Sequence, residues 1–248
     1  MKSKSIWISF ITVVLSFVCG FLIANALNRK EINQFKSENE SLRSLQAENT
    51  KDSANATLSD EELQNKISEA DQIPDNFQFQ KNLGLALYRY ASMKQDSKIL
   101  PDALRLLNRA NSINPKDREV QIGLGNAYFD TGYLNKENAG FESAREFYRK
   151  ALVQNPLDIE IKTDMGLTYF LQDPPDLPAA IEQFEATLKI DPKHEKAIEF
   201  MVQSLIKKND GAKAEQYLAQ LRKVNPENRS LPELTSLVAQ LNSNTPVK

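Results

Sequence analysis

Residues Arg118 to Pro156 read REVQIGLGNAYFDTGYLNKENAGFESAREFYRKALVQNP, and two apolar patterns of helical period follow one another within them. Leu124 and Tyr128 stand one turn apart on a single helix face, and Gly125 between them has no side chain to keep a second helix away. Ala144, Tyr148 and Ala151 make the answering stripe. Pro156 lacks an N–H and turns Asn155 out of the helical region, so the second helix stops there. The stretch predicts a hairpin of two helices.

Working outward, the closing proline recurs at Pro74, Pro115, Pro156, Pro192 and Pro226, at spacings of 41, 41, 36 and 34 residues. Leu83, Gly84 and Leu87 precede Ala103, Leu107 and Ala110 in one neighbouring unit; Met165, Gly166 and Tyr169 precede Ala180, Phe184 and Thr187 in the other. The last unit is the most degenerate, with Met201, Val202 and Leu205 before Ala214, Leu218 and Leu221. This recurrence resembles the tetratricopeptide repeat (TPR), whose pattern is L-G-x-x-Y, then A-x-x-x-F, then Pro; Gln121 stands where the family has its leading Trp.

The resemblance implies an all-α fold, a right-handed α-α superhelix of TPR helical hairpins. Four units are expected, at 77–117, 118–158, 159–194 and 195–228, which exceeds the three or so needed to bury a continuous core. A leading capping helix at 59–76 starts from a Ser59/Glu62 capping box and buries Leu63, Ile67 and Ala70. A C-terminal capping helix at 229–242 tolerates Pro232 in its first turn and presents Leu234, Leu237, Val238 and Leu241 on one face; 243–248 is a tail. The two 41-residue units carry extra length around Ser92–Lys98 and Tyr133–Ala139, seven residues each, close to two helical turns. Taller helices at one rim are one expectation, tolerated loop variation the other.

Ile6 to Leu27 form an uncharged run of 22 residues between Lys2/Lys4 and Arg29/Lys30. Its helical length of roughly 33 Å spans a hydrocarbon core, so residues 1–27 read as an uncleaved transmembrane signal anchor; the flanking charges nearly tie, and the lysine pair ahead of the run resembles a secretion signal, which favours the repeats on the extracytoplasmic, periplasmic side. Ala24, Asn25 and Ala26 also supply an A-x-A site, so cleavage after Ala26 competes, and a lipoprotein at Cys19 is a third reading, although Val18 stands where a lipobox has Gly or Ala. Cys19, the single cysteine, lies inside this run, which excludes an intrachain disulfide and a multi-cysteine metal site. Residues 28–58 form a polar stalk and linker. Ile32, Phe35 and Leu42 keep heptad spacing there while Asn39 and Gln46 interrupt it, leaving self-association through the stalk and a solvated stalk as alternatives.

A net charge of −2 gives no electrostatic case for nucleic acid. The lone histidine, His194, sits where a polar residue starts a helix, and no phosphate-binding loop or nucleophile elbow is present, so no enzyme and no cofactor is expected. The TPR resemblance implies protein binding in a concave groove lined by the first helix of each hairpin. Tyr88, Phe129, Phe170 and Ile206 follow the signature position in the four units and form its expected apolar stripe, with Lys81, Asn126 and Gln203 as polar neighbours; the alternative is that the four fold back into the core between repeats. That stripe suits an amphipathic helix or apolar segment of a protein or peptide. A carboxylate clamp is not expected, because Leu85, Glu160 and Asp164 occupy positions that need Asn and basic residues. The implied function is a membrane-tethered scaffold. One alternative is an envelope assembly factor, since anchor and lengthened early repeat resemble the TPR subunits of bacterial cytochrome c biogenesis; another is an oligomeric spacer.

Overall fold

A computed structural model describes residues 60–94 and 98–244. The apolar run, Cys19, the stalk and Ser59 lie outside the described residues. The chain divides into two units, Met1–Glu62 and Leu63–Lys248, and all but three of the described residues belong to the second. Among the described residues, no helix is long and apolar enough to cross a membrane.

The described chain is all-helical: α1 (Asp60–Gln72), α2 (Phe77–Lys94), α3 (Leu100–Ile113), α4 (Arg118–Asn135), α5 (Asn138–Gln154), α6 (Ile159–Leu171), α7 (Leu177–Ile190), α8 (Glu195–Lys207), α9 (Gly211–Val224) and α10 (Leu231–Asn244). Four pairs, α2/α3, α4/α5, α6/α7 and α8/α9, are antiparallel hairpins, and each packs on the next.

One turn design joins the hairpins. Asn114, Asn155, Asp191 and Asn225 end a second helix, a proline follows, and the side-chain oxygen accepts the N–H two residues on. The turn closes with a backbone bond donated by the residue three further on, Asp117 to Asn114 and Asp158 to Asn155 for example. The closing residue then starts the next helix. Asp117 accepts from Val120 N–H at 2.9 Å, Asp158 from Ile161 at 3.1 Å and His194 Nδ1 from Ala197 at 3.2 Å. An acceptor at Nδ1 places the histidine proton on Nε2, from which it is donated to Glu160 at 3.1 Å.

Within hairpins, the signature glycines are contact sites. A Cβ on Gly125 would lie 2.5 Å from Tyr148 Cε1, one on Gly166 2.5 Å from Phe184 Cε1, and one on Gly84 2.9 Å from Leu107 Cγ. Val202 takes this position in the fourth hairpin, buried in the same cluster as Leu218, so a larger residue on the first helix goes with a smaller one than Tyr or Phe on the second.

Among the described residues, the first two hairpins carry longer helices. α2 and α4 each have 18 residues, against 13 for α6 and α8, and α5 has 17. The added turns of α4 and α5 meet backbone to backbone, since a Cβ on Gly140 would fall 2.5 Å from Gly132 Cα. Lys136, left-handed at φ 57°, closes α4 by donating to Gly132 O. The turn ahead of α7 is clasped to the second hairpin: Asn138 donates to Asp173 O at 2.7 Å and accepts from Asp173 N–H at 3.0 Å.

At the C-terminal end Leu234 and Val238 of α10 are buried against the last hairpin. Leu237, expected on the same apolar face, is exposed. It lies one position from Val238 and so points about 100° around the helix, away from α8 and α9.

Candidate functional site

First helices of successive hairpins touch directly, α2 with α4, α4 with α6 and α6 with α8, whereas the second helices meet only the hairpin ahead through its first helix. Close inner helices and splayed outer ones give the array a concave side built from α2, α4, α6 and α8. All seven residues expected in the groove lie on these helices.

The structure separates them by environment. Tyr88 is half-buried against the first cluster, and Phe129 half-buried with its ring edge-on to Phe141 at 5.7 Å. Ile206 is half-buried beside the last cluster. Phe170 is different: at 7% exposure it belongs to the core, edge-on to Phe200 at 5.5 Å, with Lys207 Nζ 5.1 Å above its face. Phe200 is the cause, because the equivalent position of the preceding hairpins holds Gly123 or Asp164, neither of which provides a covering ring.

Of the polar neighbours, Lys81 is committed to structure. Its ammonium is 3.0 Å from Asp117 and 2.7 Å from Glu119, and these carboxylates, against the cost of its burial, hold it protonated above the ordinary lysine range. Asn126 Oδ1 accepts from Tyr148 O–H at 2.9 Å, and Gln203 donates to Glu199 at 3.4 Å. Lys81 is the first of a series. Arg118 pairs with Asp158, Glu160 with His194, and Glu195 with Asn228, so the start of each first helix is tied to the turn that opens the next hairpin or α10.

Two carboxylates that sequence reasoning passed over lie among these groups. Asp130 lies next to Phe129; burial pushes its carboxyl up from the ordinary range, the hydroxyls of Ser92 and Tyr88 oppose the shift, and Asp164 adds to it. Burial likewise raises Asp164, while Lys196 at 2.8 Å pulls it back. Burial raises the Tyr148 phenol well above its usual range, with Asp164, Tyr88 and Asp130 adding to the effect. The sequence signal for Asp130 is its position directly after the stripe residue, but helices carry acids there on solvated faces just as often.

Arg145 was also missed. It is buried on α5, 4.4 Å over the Tyr169 ring, with Nη1 donating to Gln172 at 3.0 Å and to Thr168 at 3.3 Å. Among the described residues, no group of three or more His, Cys, Asp or Glu is placed to hold a metal ion. The arrangement offers a wall of half-buried rings, amides and carboxylates, which suits recognition of a chain.

Comparison with known proteins agrees with this architecture. Residues 176–241 match the tetratricopeptide repeat family model, which spans α7 to α10, the end whose signature is most degenerate. The crystal structure of MamA protein superposes with TM-score 0.53 at 18% identity, covering 67% of this chain and 82% of that one. A MamA RS-1 double mutant gives 0.54 at 16% identity, covering 68% and 86%. A thermophilic TPR protein of Thermus thermophilus gives 0.49 at 15% identity, covering 73% and 99%. No curated protein matches in sequence. The described chain therefore has the TPR helical-hairpin fold, and TPR proteins generally serve as protein-interaction scaffolds.

Proposed function

We propose that this chain is a membrane-tethered scaffold that holds a segment of a protein partner along the concave wall of α2, α4, α6 and α8. The observation that supports the reading is the direct succession of first helices, on which Tyr88, Phe129 and Ile206 each stay half-buried. Half-buried rings keep their packing yet present apolar area, the condition for anchoring an amphipathic helix or apolar peptide. Phe170 supports the wall from beneath. Tethering rests on the Ile6–Leu27 run, and the short lysine-led start ahead of it, which resembles a secretion signal, favours the repeats outside the cytoplasm.

A photo-crosslinking residue placed at Asn126 of the full-length chain tests the groove, with the same residue at Val153 as control, since Val153 is exposed on a second helix. One partner is expected to crosslink at 126 and not at 153. Equal labelling at the two sites would sink the groove assignment. Protease added to right-side-out membrane vesicles tests the side: digestion of the repeats is expected, and protection would place them in the cytoplasm.

A further inference from the structure

Where α2 and α4 run past the length of the later first helices, a cavity of about 270 Å³ opens between them, lined by Ala91, Ser92, Leu100, Asp130, Tyr133 and Leu134. Its wall is apolar apart from a serine, the tyrosine hydroxyl and one carboxylate. Of its lining residues Tyr133 is 58% exposed and Leu134 40%. Large apolar side chains concentrated beside a cavity are unlike the scattered ones on an ordinary surface.

Asp130 distinguishes this cavity. It is the one carboxylate in the cavity wall, and Asp164, which acts on it electrostatically, has its own cation in Lys196. The described residues thus leave a half-buried carboxylate in the cavity wall with no cation in ion-pair contact. A charged donor arriving from outside would gain a charge-assisted hydrogen bond there.

We propose that this cavity receives a lysine or arginine side chain of a protein partner, Asp130 pairing with the cation while Tyr133 and Leu134 pack against an apolar residue beside it. The inference rests on the reading above, that the chain holds a polypeptide, and adds which segment it selects. An acidic peptide is disfavoured at this place by like charge, and a purely apolar one leaves Asp130 covered and unpaired. The cavity sits one helical turn beyond Tyr88 and Phe129 along the same two helices, so one extended segment can reach both.

The test is selection of a displayed random-peptide library on the full-length chain in detergent, followed by affinity measurements on the peptides recovered. Enriched sequences are expected to carry Lys or Arg next to Leu, Ile, Met or Phe. Asp130→Asn should weaken the best peptide roughly tenfold. Tyr133→Ser should erase the preference for the apolar neighbour, and because Tyr133 is mostly exposed this variant keeps its fold even where Asp130→Asn does not. Glu215→Gln, the same charge removed from the exposed face of α9, should change nothing. Enriched peptides without a cation, full affinity on Asp130→Asn, or an equal loss on Glu215→Gln would each overturn the proposal. If such peptides instead lose binding on Phe129→Ala, the groove stands and the cavity falls; no enrichment at all sinks both.

Discussion

At Gly125 the packing tolerance is smallest, because the Tyr148 ring that a side chain would strike is fully buried and tethered by its hydroxyl to Asn126. Gly125→Ala is expected to cost ~1–3 kcal/mol in denaturant unfolding, the usual range for overpacking. The fourth hairpin suggests its own rescue: Gly125→Val combined with Tyr148→Leu reproduces the Val202 and Leu218 pairing, and a double-mutant cycle should show the pair less destabilised than the sum of its parts. Gln121 is the other informative residue. In place of the family's Trp, a buried amide donates to Pro115 O at 2.7 Å and accepts from Gln154 at 3.0 Å, and Gln80 repeats the device by donating to Ala70 O and Ile73 O. The position that secures a hairpin to the turn before it by bulk is here secured by hydrogen bonds. Gln121→Ala should therefore destabilise by about 1–3 kcal/mol, through loss of its hydrogen bonds to Pro115 and Gln154. Asp130 sets a pH response. Its folded proton affinity is raised, so its ionisation opposes folding, and stability falls as pH rises from the ordinary carboxylate range through the raised value. Asp130→Asn, which removes the half-buried charge with little change of volume, should raise Tm at pH 7 and leave it unchanged below the ordinary carboxylate pKa. A lower Tm at pH 7 would contradict the assignment.

Among the elements, the lengthened pair α4 and α5 depends on the Gly132–Gly140 contact, where the obstacle to a side chain is backbone and cannot rotate away. Gly140→Ala should splay the added turns while leaving the lower hairpin packed through Tyr148. Hydrogen exchange is expected to speed up at residues 130–142 and to stay slow at 144–151; uniform protection would mean the tops are not in contact. Length here was readable as two extra turns, because adding whole turns preserves an apolar face. Which helices took up that length was not readable, since Asn, Lys and Glu between the helices suit a helix end as well as a loop.

For the whole described array, hairpins contact only their neighbours, so damage should stay local. Removal of α10 uncovers Leu218 and Leu221 and takes Asn242 from Gly211, so exchange should rise across α8 and α9. The first two hairpins, some 80 residues away, should keep their protection. Equal loosening throughout would show a single cooperative unit instead.

Amino-acid order alone determined the hairpins, their proline-marked turns and the glycine contacts, because each depends on signals within a turn or two of chain: helical period, a missing side chain, an Asn-Pro that ends one helix and an Asp or His that starts the next. The fate of the groove residues was decided only by the tertiary structure. Phe170 and Phe129 occupy the same repeat position, yet Phe170 is covered because α8 brings Phe200 over it, whereas Asp164 of α6 brings no ring over Phe129. Lys81 reads as a free cation until the next hairpin delivers Asp117 and Glu119 to it from 36 and 38 residues away. Asp130 reads as solvated until α2 sets Ala91 and Ser92 in the same cavity wall. Burial and charge at these places depend on side chains arriving from adjacent hairpins, and the size and sign of those side chains leave no mark on the local period that identifies the helices.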